Sequence, residues 1–166
     1  MERALPEPWL RGPIPGISPL IAPVLYAFQQ AREDLAKHTG GLTADQVWAR
    51  PVGLAPLGFH LRHIAGSVDR LTTYLLGAQL SEDQMAALKT EMESGESQEK
   101  LLAKVNDALA QAEARIRSID PTTLAELRAV GRQHLPTTVI GLLVHIAEHT
   151  QRHVGQAIGA AKLARV

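Results

Sequence analysis

Residues 139–160 read VIGLLVHIAEHTQRHVGQAIGA and carry most of the information about the fold. Apolar residues recur every three or four positions in the first half of this stretch, which is the spacing of one face of an α-helix. We call this face of the helix the seam. It begins with aliphatic side chains and continues into histidines, and its members are Val139, Leu142, Ile146, His149, His153, Gln156 and Ala160. We therefore predict a long helix that begins after Pro136, ends near Lys162 and turns this face toward a core.

Three further segments, at about residues 18–39, 56–76 and 97–118, have the same helical spacing of apolar residues. Serine or proline stands at the start of each segment, and glycine or proline follows its end, as in helices with ordinary caps. No alternation of apolar and polar residues typical of a β-strand is evident. The sequence predicts an all-α fold over residues 18–166, an antiparallel four-helix bundle.

Residues 1–17, MERALPEPWLRGPIPGI, are predicted to form a proline-rich N-terminal arm ahead of the bundle. Proline fixes φ and removes a backbone donor, so this density of prolines opposes regular structure. We expect an extended arm that lies on the domain or on a partner, with Trp9 and Leu10 as its anchors. A disordered tail is the alternative.

The composition argues against several classes of function. Lysine plus arginine and aspartate plus glutamate number 17 each, so the chain lacks the basic surface expected of a nucleic-acid-binding protein. No apolar run approaches the roughly 18 residues of a membrane span, so no membrane partner is expected. The absence of cysteine excludes disulfides, a thiolate nucleophile and a cysteine zinc site, and it fits the cytoplasm, where we expect the protein.

Two histidines continue the aliphatic seam of the last helix. His149 and His153 are four residues apart, so they project from one helix face into the same space. Buried imidazoles need hydrogen-bond partners, and a shared metal ion satisfies two of them at once. A third ligand would come from the second helix, where His60 and His63 are both available. A hydrogen-bonded histidine cluster in the core and solvent-exposed histidines are the alternatives.

The same stretch contains a rival motif. His145, Glu148 and His149 spell HxxEH, in which some peptidases use both histidines as zinc ligands and the glutamate as general base. His145 lies off the seam that contains His149, and no strand is predicted that would bind a peptide edge-on. A metallopeptidase is therefore the less favoured hypothesis, and Glu148 is expected to make a surface contact.

Two segments, GFHLRHIAGSVDRLTTYLLG at 58–77 and GLLVHIAEHTQRHVGQAI at 141–158, resemble the signature regions of the DinB/YfiT-like superfamily of bacterial metalloproteins. In that family one ligand histidine lies on the second helix, and an HxxxH pair followed by Gly-Gln lies on the last. The resemblance implies that the metal ligands are His63, His149 and His153. It leaves three residues with supporting roles, such as hydrogen bonds to a ligand or to a bound molecule: His60, His145 and Gln156.

The resemblance also implies a divalent metal, usually zinc or nickel, in a four-helix bundle that is commonly a homodimer. Characterised relatives include thiol S-transferases that use bacillithiol or mycothiol, a thiol-dependent isomerase and hydrolases. We therefore expect a metal-dependent enzyme that acts on a small-molecule substrate, either a thiol S-transferase with a low-molecular-weight thiol as co-substrate or a hydrolase. A bundle that binds a metal or another ligand without catalysis is the alternative.

Overall fold

The computed structural model describes residues 5–166, and the chain is mostly helical, as predicted. In chain order its elements are α1 (Ala22–His38), α2 (Ala44–Trp48), α3 (Leu57–Leu75), α4 (Glu82–Lys89), α5 (Gln98–Arg117), β1 (Leu127–Val130), β2 (Leu135–Thr138) and α6 (Val139–Leu163). Short 3-10 turns occupy Pro8–Leu10, Pro51–Gly53 and Pro121–Thr123. None of the helices in the described residues is both long enough and apolar enough to cross a membrane.

The four long helices share one hydrophobic core. α3 packs against α5 and α6, and α1 packs against the same two helices. The largest fully buried side chains in this core include Phe28, Leu35, Leu57, Leu61, Ile64, Leu101, Leu109, Ile116 and Ile146. Removal of their apolar surface from water, at about 25 cal/mol per Å², drives the association of the helices.

Side-chain caps fix the starts of several helices. Thr43 and Ser81 each form a capping box at the start of α2 and α4, and Ser97 caps α5. In each case the side-chain oxygen accepts a hydrogen bond from a backbone N–H of the first turn, which has no partner within the helix. The start predicted for the segment at about residue 97 agrees with the structure.

α1 begins one turn later than predicted. The sequence analysis placed the start at Ser18, but the first helical residue is Ala22 and the proline of the first turn is Pro23. The Ser18 carbonyl accepts hydrogen bonds from the N–H groups of Ile21 and Ala22, so a separate turn precedes the helix. Pro19 and Pro23 both satisfy the preference for proline in a first turn, and the sequence does not distinguish them.

The structure contains an antiparallel β-hairpin, so the prediction of an all-α fold is wrong at this point. β1 pairs with β2 with Leu127 opposite Thr138. Both strands are four residues long, unpaired on one side and partly exposed, so they lack the alternating pattern that identifies longer strands. The turn uses left-handed backbone at Gly131 and His134, with φ of 72° and 50°. β2 continues directly into α6, which Thr138 caps.

The described part of the arm, residues 5–17, lies against α1. Arg11 pairs with both carboxylate oxygens of Glu33, at 2.6 and 2.8 Å. Trp9 and Leu10 are 60% and 56% exposed, so they do not anchor the arm on the domain, and their role as anchors on a partner stays a prediction. The arm residues that do pack against the core are Pro8, Ile14 and Ile17. Residues 1–4 of the predicted arm lie outside the described residues, and the domain boundary after residue 17 stays a prediction.

Candidate metal centre

Three histidines meet where α3 and α6 pack together. His63 comes from α3, and His149 and His153 come from successive turns of α6. One ring nitrogen of each lies within 4.8 Å of the others. The Nε2 atoms of His63 and His149 are 3.5 Å apart. These separations are short enough for three imidazoles to bind a single ion.

The aliphatic seams of the two helices hold this cluster in place. Ile64, next to His63, and Ile146, three residues before His149, are fully buried in the interface between α3 and α6. The three histidines themselves are half-buried. The cluster therefore lies at the edge of the core, closed on one side by packed side chains and accessible from the other. Such a position leaves room for a further ligand or a substrate.

Burial keeps two of these rings neutral. It lowers the pKa of His149 and of His153 to about 4, and the proximity of the His63 ring acts in the same direction, because two charged imidazoles would repel each other. Neutral imidazole is the form that binds a metal ion. The Nδ1 atom of His149 is buried and has no hydrogen-bond partner in the described part of the chain, so the protein alone does not satisfy this ring. Three converging imidazoles fit a divalent metal ion.

A buried carboxylate fixes the ring of His63. The Nδ1 atom of His63 lies 2.6 Å from Oε2 of Glu91, and Oε1 of Glu91 accepts a 2.8 Å hydrogen bond from Arg70. Burial by itself raises the pKa of Glu91, but the contacts with His63 and Arg70 outweigh it and leave this pKa below its usual range. The carboxylate is therefore charged, and Nε2 of His63 is the nitrogen turned toward His149.

The sequence alone does not show that Glu91 and Arg70 pair with each other beside His63. Arg70 lies seven residues after His63 and thus on the same face of α3, which is a signal that could have linked the two. Glu91 lies in the irregular connection between α4 and α5, where no periodicity indicates which side chains point inward. Only the tertiary structure brings Glu91 to the cluster.

His60 lies behind the cluster, in contact with His153. It is 6% exposed, and its Nδ1 atom is 3.2 Å from Nδ1 of His153. Burial, with the proximity of the His63 ring as a smaller contribution, lowers the pKa of His60 to about 4. The ring is therefore neutral, and its Nδ1 can accept a hydrogen bond from His153.

His145 and Gln156, the other two candidates for supporting roles, are exposed. The ring centres of His145 and His149 are 5.3 Å apart, and within the described residues no hydrogen bond joins His145 to the cluster. Gln156 and His60 line a small cavity of about 220 Å³ next to α6. Both exposed residues thus border the site without holding the ring of a ligand candidate.

Glu148, the general base of the rival peptidase motif, is directed away from the cluster. Its carboxylate accepts a 2.8 Å hydrogen bond from Arg152, and its side chain is 48% exposed. The hydrogen bond from Arg152 is the main reason why the pKa of Glu148 is lowered. Since His145 also lies outside the group of converging nitrogens, the geometry does not form the HxxEH arrangement.

Phe59 forms an apolar wall beside the histidines. Its ring stacks on that of His63 with centroids 5.3 Å apart and planes at 22°, and it meets the ring of His153 edge-on at 6.3 Å. Aromatic contacts of this kind stabilise the orientation of the rings. Phe59 lies one turn before His63 on α3, a position that the sequence analysis did not consider.

A larger cavity, of about 650 Å³, opens between the arm, α1 and Gln151 of α6. Gln151 lies halfway between His149 and His153 in sequence, which places it about 200° around the helix from either one. Among the described residues that line this cavity there is no histidine. Its size alone indicates no chemistry, so the histidine cluster remains the candidate site.

Comparison with known families agrees with this geometry. The family profile of the DinB superfamily matches residues 27–157, a range that contains α3 and all three clustered histidines. A search of curated proteins finds no match. Because the profile match covers most of the chain, the protein belongs to the DinB superfamily.

Proposed function

We propose that the protein binds a divalent metal ion, zinc or nickel, through His63, His149 and His153. The observation that carries this proposal is the convergence of three ring nitrogens within 4.8 Å. The neutral state of His149 and His153 supports it, because a protonated ring has no lone pair to donate. When bound, such an ion supplies Lewis-acid activation of a thiol or of water.

The proposed role of this centre is that of a metal-dependent enzyme acting on small molecules, a thiol S-transferase before a hydrolase. Glu91 is engaged by His63 and Arg70, and His60 is engaged by His153. Neither is therefore free to act as a general base. A nucleophile brought by a low-molecular-weight co-substrate needs no such base, and the chain has no cysteine to supply a thiol itself.

A non-catalytic metal-binding protein is the second candidate. The contacts of Glu91 with His63 and of His60 with His153 favour this role as well. They leave neither side chain available for proton transfer, and a storage or sensing centre needs ligands but no proton-transfer group. For either role we further propose an antiparallel four-helix bundle, a homodimer and a cytoplasmic location. The mutual packing of the four long helices supports the bundle, and the resemblance to the family motifs supports the dimer.

Metal analysis of purified variants tests the ligand assignment. The wild type, incubated with zinc or nickel and passed through gel filtration, should retain one ion per chain by mass spectrometry. His63→Ala and His149→Ala should lose most of it, whereas His145→Ala should retain it. Retention by His63→Ala together with loss by His145→Ala would show that the ligand set is wrong and would favour the peptidase arrangement.

Activity measurements separate the two proposed roles. Metal-loaded protein is incubated with a panel of small electrophiles, with and without a low-molecular-weight thiol. Turnover only in the presence of the thiol indicates a transferase, and turnover without it indicates a hydrolase. Absence of turnover across the panel by metal-loaded protein would favour the non-catalytic role.

A further inference from the structure

We propose that Glu91 and Arg70 are positioning residues of the metal centre, and that metal binding thereby fastens the α4–α5 connection, residues 90–97, to α3. This inference rests on the proposed function, since it requires an ion at His63. It goes beyond the ligand set because it assigns a role to a buried ion pair and to a segment outside the long helices.

Glu91 selects the form of His63 that can bind a metal. A neutral imidazole carries its hydrogen on one nitrogen and offers a lone pair on the other. With a carboxylate 2.6 Å from Nδ1, the hydrogen is held on Nδ1 and the lone pair of Nε2 faces His149. The opposite tautomer would set a lone pair against the charged carboxylate and block Nε2 with a hydrogen. The contact therefore favours the ligand tautomer.

Arg70 holds the carboxylate in the orientation that this contact needs. Its guanidinium donates to Oε1 of Glu91 over 2.8 Å, which leaves Oε2 for His63. The side chains of Arg70 and Glu91 are only 9% and 7% exposed, so water does not compete effectively for either group. A buried charge with one such partner is held firmly, because moving it would leave an unpaired charge in the core.

Gly66 provides the space for this ion pair. A Cβ atom at this position would lie 2.6 Å from Nη1 of Arg70 and 2.8 Å from Oε1 of Glu91. Arg70 and Glu91 therefore pass over bare helix backbone, and an alanine at residue 66 would displace them. This substitution moves the two side chains apart from their present positions but removes neither charged group from the protein.

The other polar contacts of the connection with α3 come from Arg62. Its guanidinium donates to the carbonyl oxygens of Thr90 and Glu93 and pairs with the carboxylate of Glu96. Glu91 adds a contact with His63, one of the three proposed metal ligands. An ion at Nε2 of His63 would make Nδ1–H a stronger donor to Glu91, so metal binding and docking of the connection should stabilise each other equally.

Zinc affinity, measured by competition with a chromophoric chelator, tests the positioning role. Glu91→Gln should weaken zinc binding about 10- to 100-fold, the usual effect of losing a residue that orients a metal-binding histidine. Gly66→Ala should weaken zinc binding as well, because it displaces the ion pair that orients His63. The higher helix propensity of alanine should offset part of the stability that the metal-free protein loses. Glu93→Gln, the same change at an exposed side chain of the connection, should bind zinc like the wild type.

The double variant Arg70→Met with Glu91→Gln provides a second route, because it removes both buried charges and leaves neither unpaired. It should also bind zinc more weakly than the wild type. Wild-type zinc affinity in Gly66→Ala and in the double variant would overturn the inference. Loss of zinc binding by the wild type itself would instead overturn the proposed function.

Hydrogen exchange measures the coupling to the connection directly. Zinc should slow amide exchange in peptides covering residues 90–97 of the wild type. In Glu91→Gln, at saturating zinc, this protection should be lost even though the site is filled. Equal protection of residues 90–97 in the wild type and in Glu91→Gln would refute the coupling.

Discussion

His60 and His153 face each other through their Nδ1 atoms, which are 3.2 Å apart between α3 and α6. Only one of these atoms can carry the hydrogen that lies between them. If His153 offers Nε2 to a metal, its Nδ1 carries that hydrogen and the Nδ1 of His60 accepts it. His60 then orients His153 as Glu91 orients His63, and each of these two rings has a buried partner of its own.

Replacement of His60 should therefore weaken metal binding without removing a ligand. His60→Ala leaves Nδ1 of His153 without an acceptor, and zinc affinity should fall by roughly a factor of ten or more. His60→Asn places an amide oxygen close to the lost nitrogen and should retain more of the affinity. Chelator competition measures both, with His134→Ala in the distant hairpin as control. Equal affinity in all three variants would contradict this role.

The stability of the metal-free protein should depend on pH in the acid range. The folded-state pKa values of His60, His149 and His153 are about 4, whereas an unfolded histidine titrates near 6.5. Below about pH 6.5 the unfolded chain takes up protons that the folded chain does not. The free energy of unfolding is thus fully present above about pH 6.5 and falls until about pH 4.

Urea unfolding of the metal-free protein at several pH values between about 7.5 and 4 measures this effect. His149→Gln removes one of the three groups, so its free energy of unfolding should depend less steeply on pH than that of the wild type. Zinc should steepen the wild-type profile, because protons and metal compete for the same nitrogens. A flat profile for the metal-free wild type would contradict the burial of these rings.

The N-terminal turn of α3 depends on a glycine that contacts Trp48. A Cβ atom at Gly58 would lie 2.7 Å from the indole ring, whose Nε1 donates to the carbonyl of Glu96. Gly58→Ala should displace the indole and change its fluorescence emission, measured in a Trp9→Phe background so that Trp48 is the only tryptophan. Gly159→Ala, where a Cβ meets no atom, should leave the emission unchanged and raise stability by up to about 1 kcal/mol.

A further prediction concerns the face of α5 that packs into the core. Leu109 is fully buried, so Leu109→Ala should lower the free energy of unfolding by about 2–5 kcal/mol through lost apolar contacts and the cavity left behind. Leu88 on α4 is 45% exposed, and Leu88→Ala should change stability by less than about 1 kcal/mol. Chemical denaturation of both variants checks the contrast. Similar losses in the two would show that α5 is not packed as described.

The long helices were predictable because their signals agree with one another. For α3 the apolar spacing predicted about residues 56–76, and the helix spans Leu57–Leu75. For α6 the spacing and a preceding proline gave a start after Pro136, and the helix spans Val139–Leu163. The hairpin was missed because short, half-exposed strands need no apolar alternation. Its strands are stabilised by pairing with each other, which the local sequence does not show.

Part of the site was also predictable from the sequence. Helical periodicity alone brings His149 and His153 into one space, since their relation depends on a single rigid helix. The choice between His60 and His63 depends on the rotation of α3 against α6, and the family resemblance supplied it. Glu91 could not be found from the sequence, because its position depends on the path of an irregular connection.

The direct passage from β2 into α6 has a consequence for the angular phase of the last helix. No residue separates Thr138, the last of β2, from Val139, the first of α6. The position of the hairpin therefore determines in which direction each later side chain of α6 points around the helix axis. Hydrogen bonds from the N–H groups of Val139 and Ile140 to carbonyls ahead of β1 hold the start of α6 in this orientation. One inserted residue at the junction would turn the rest of the helix by about 100°. It would carry two imidazoles out of reach of the third while leaving the helix itself intact.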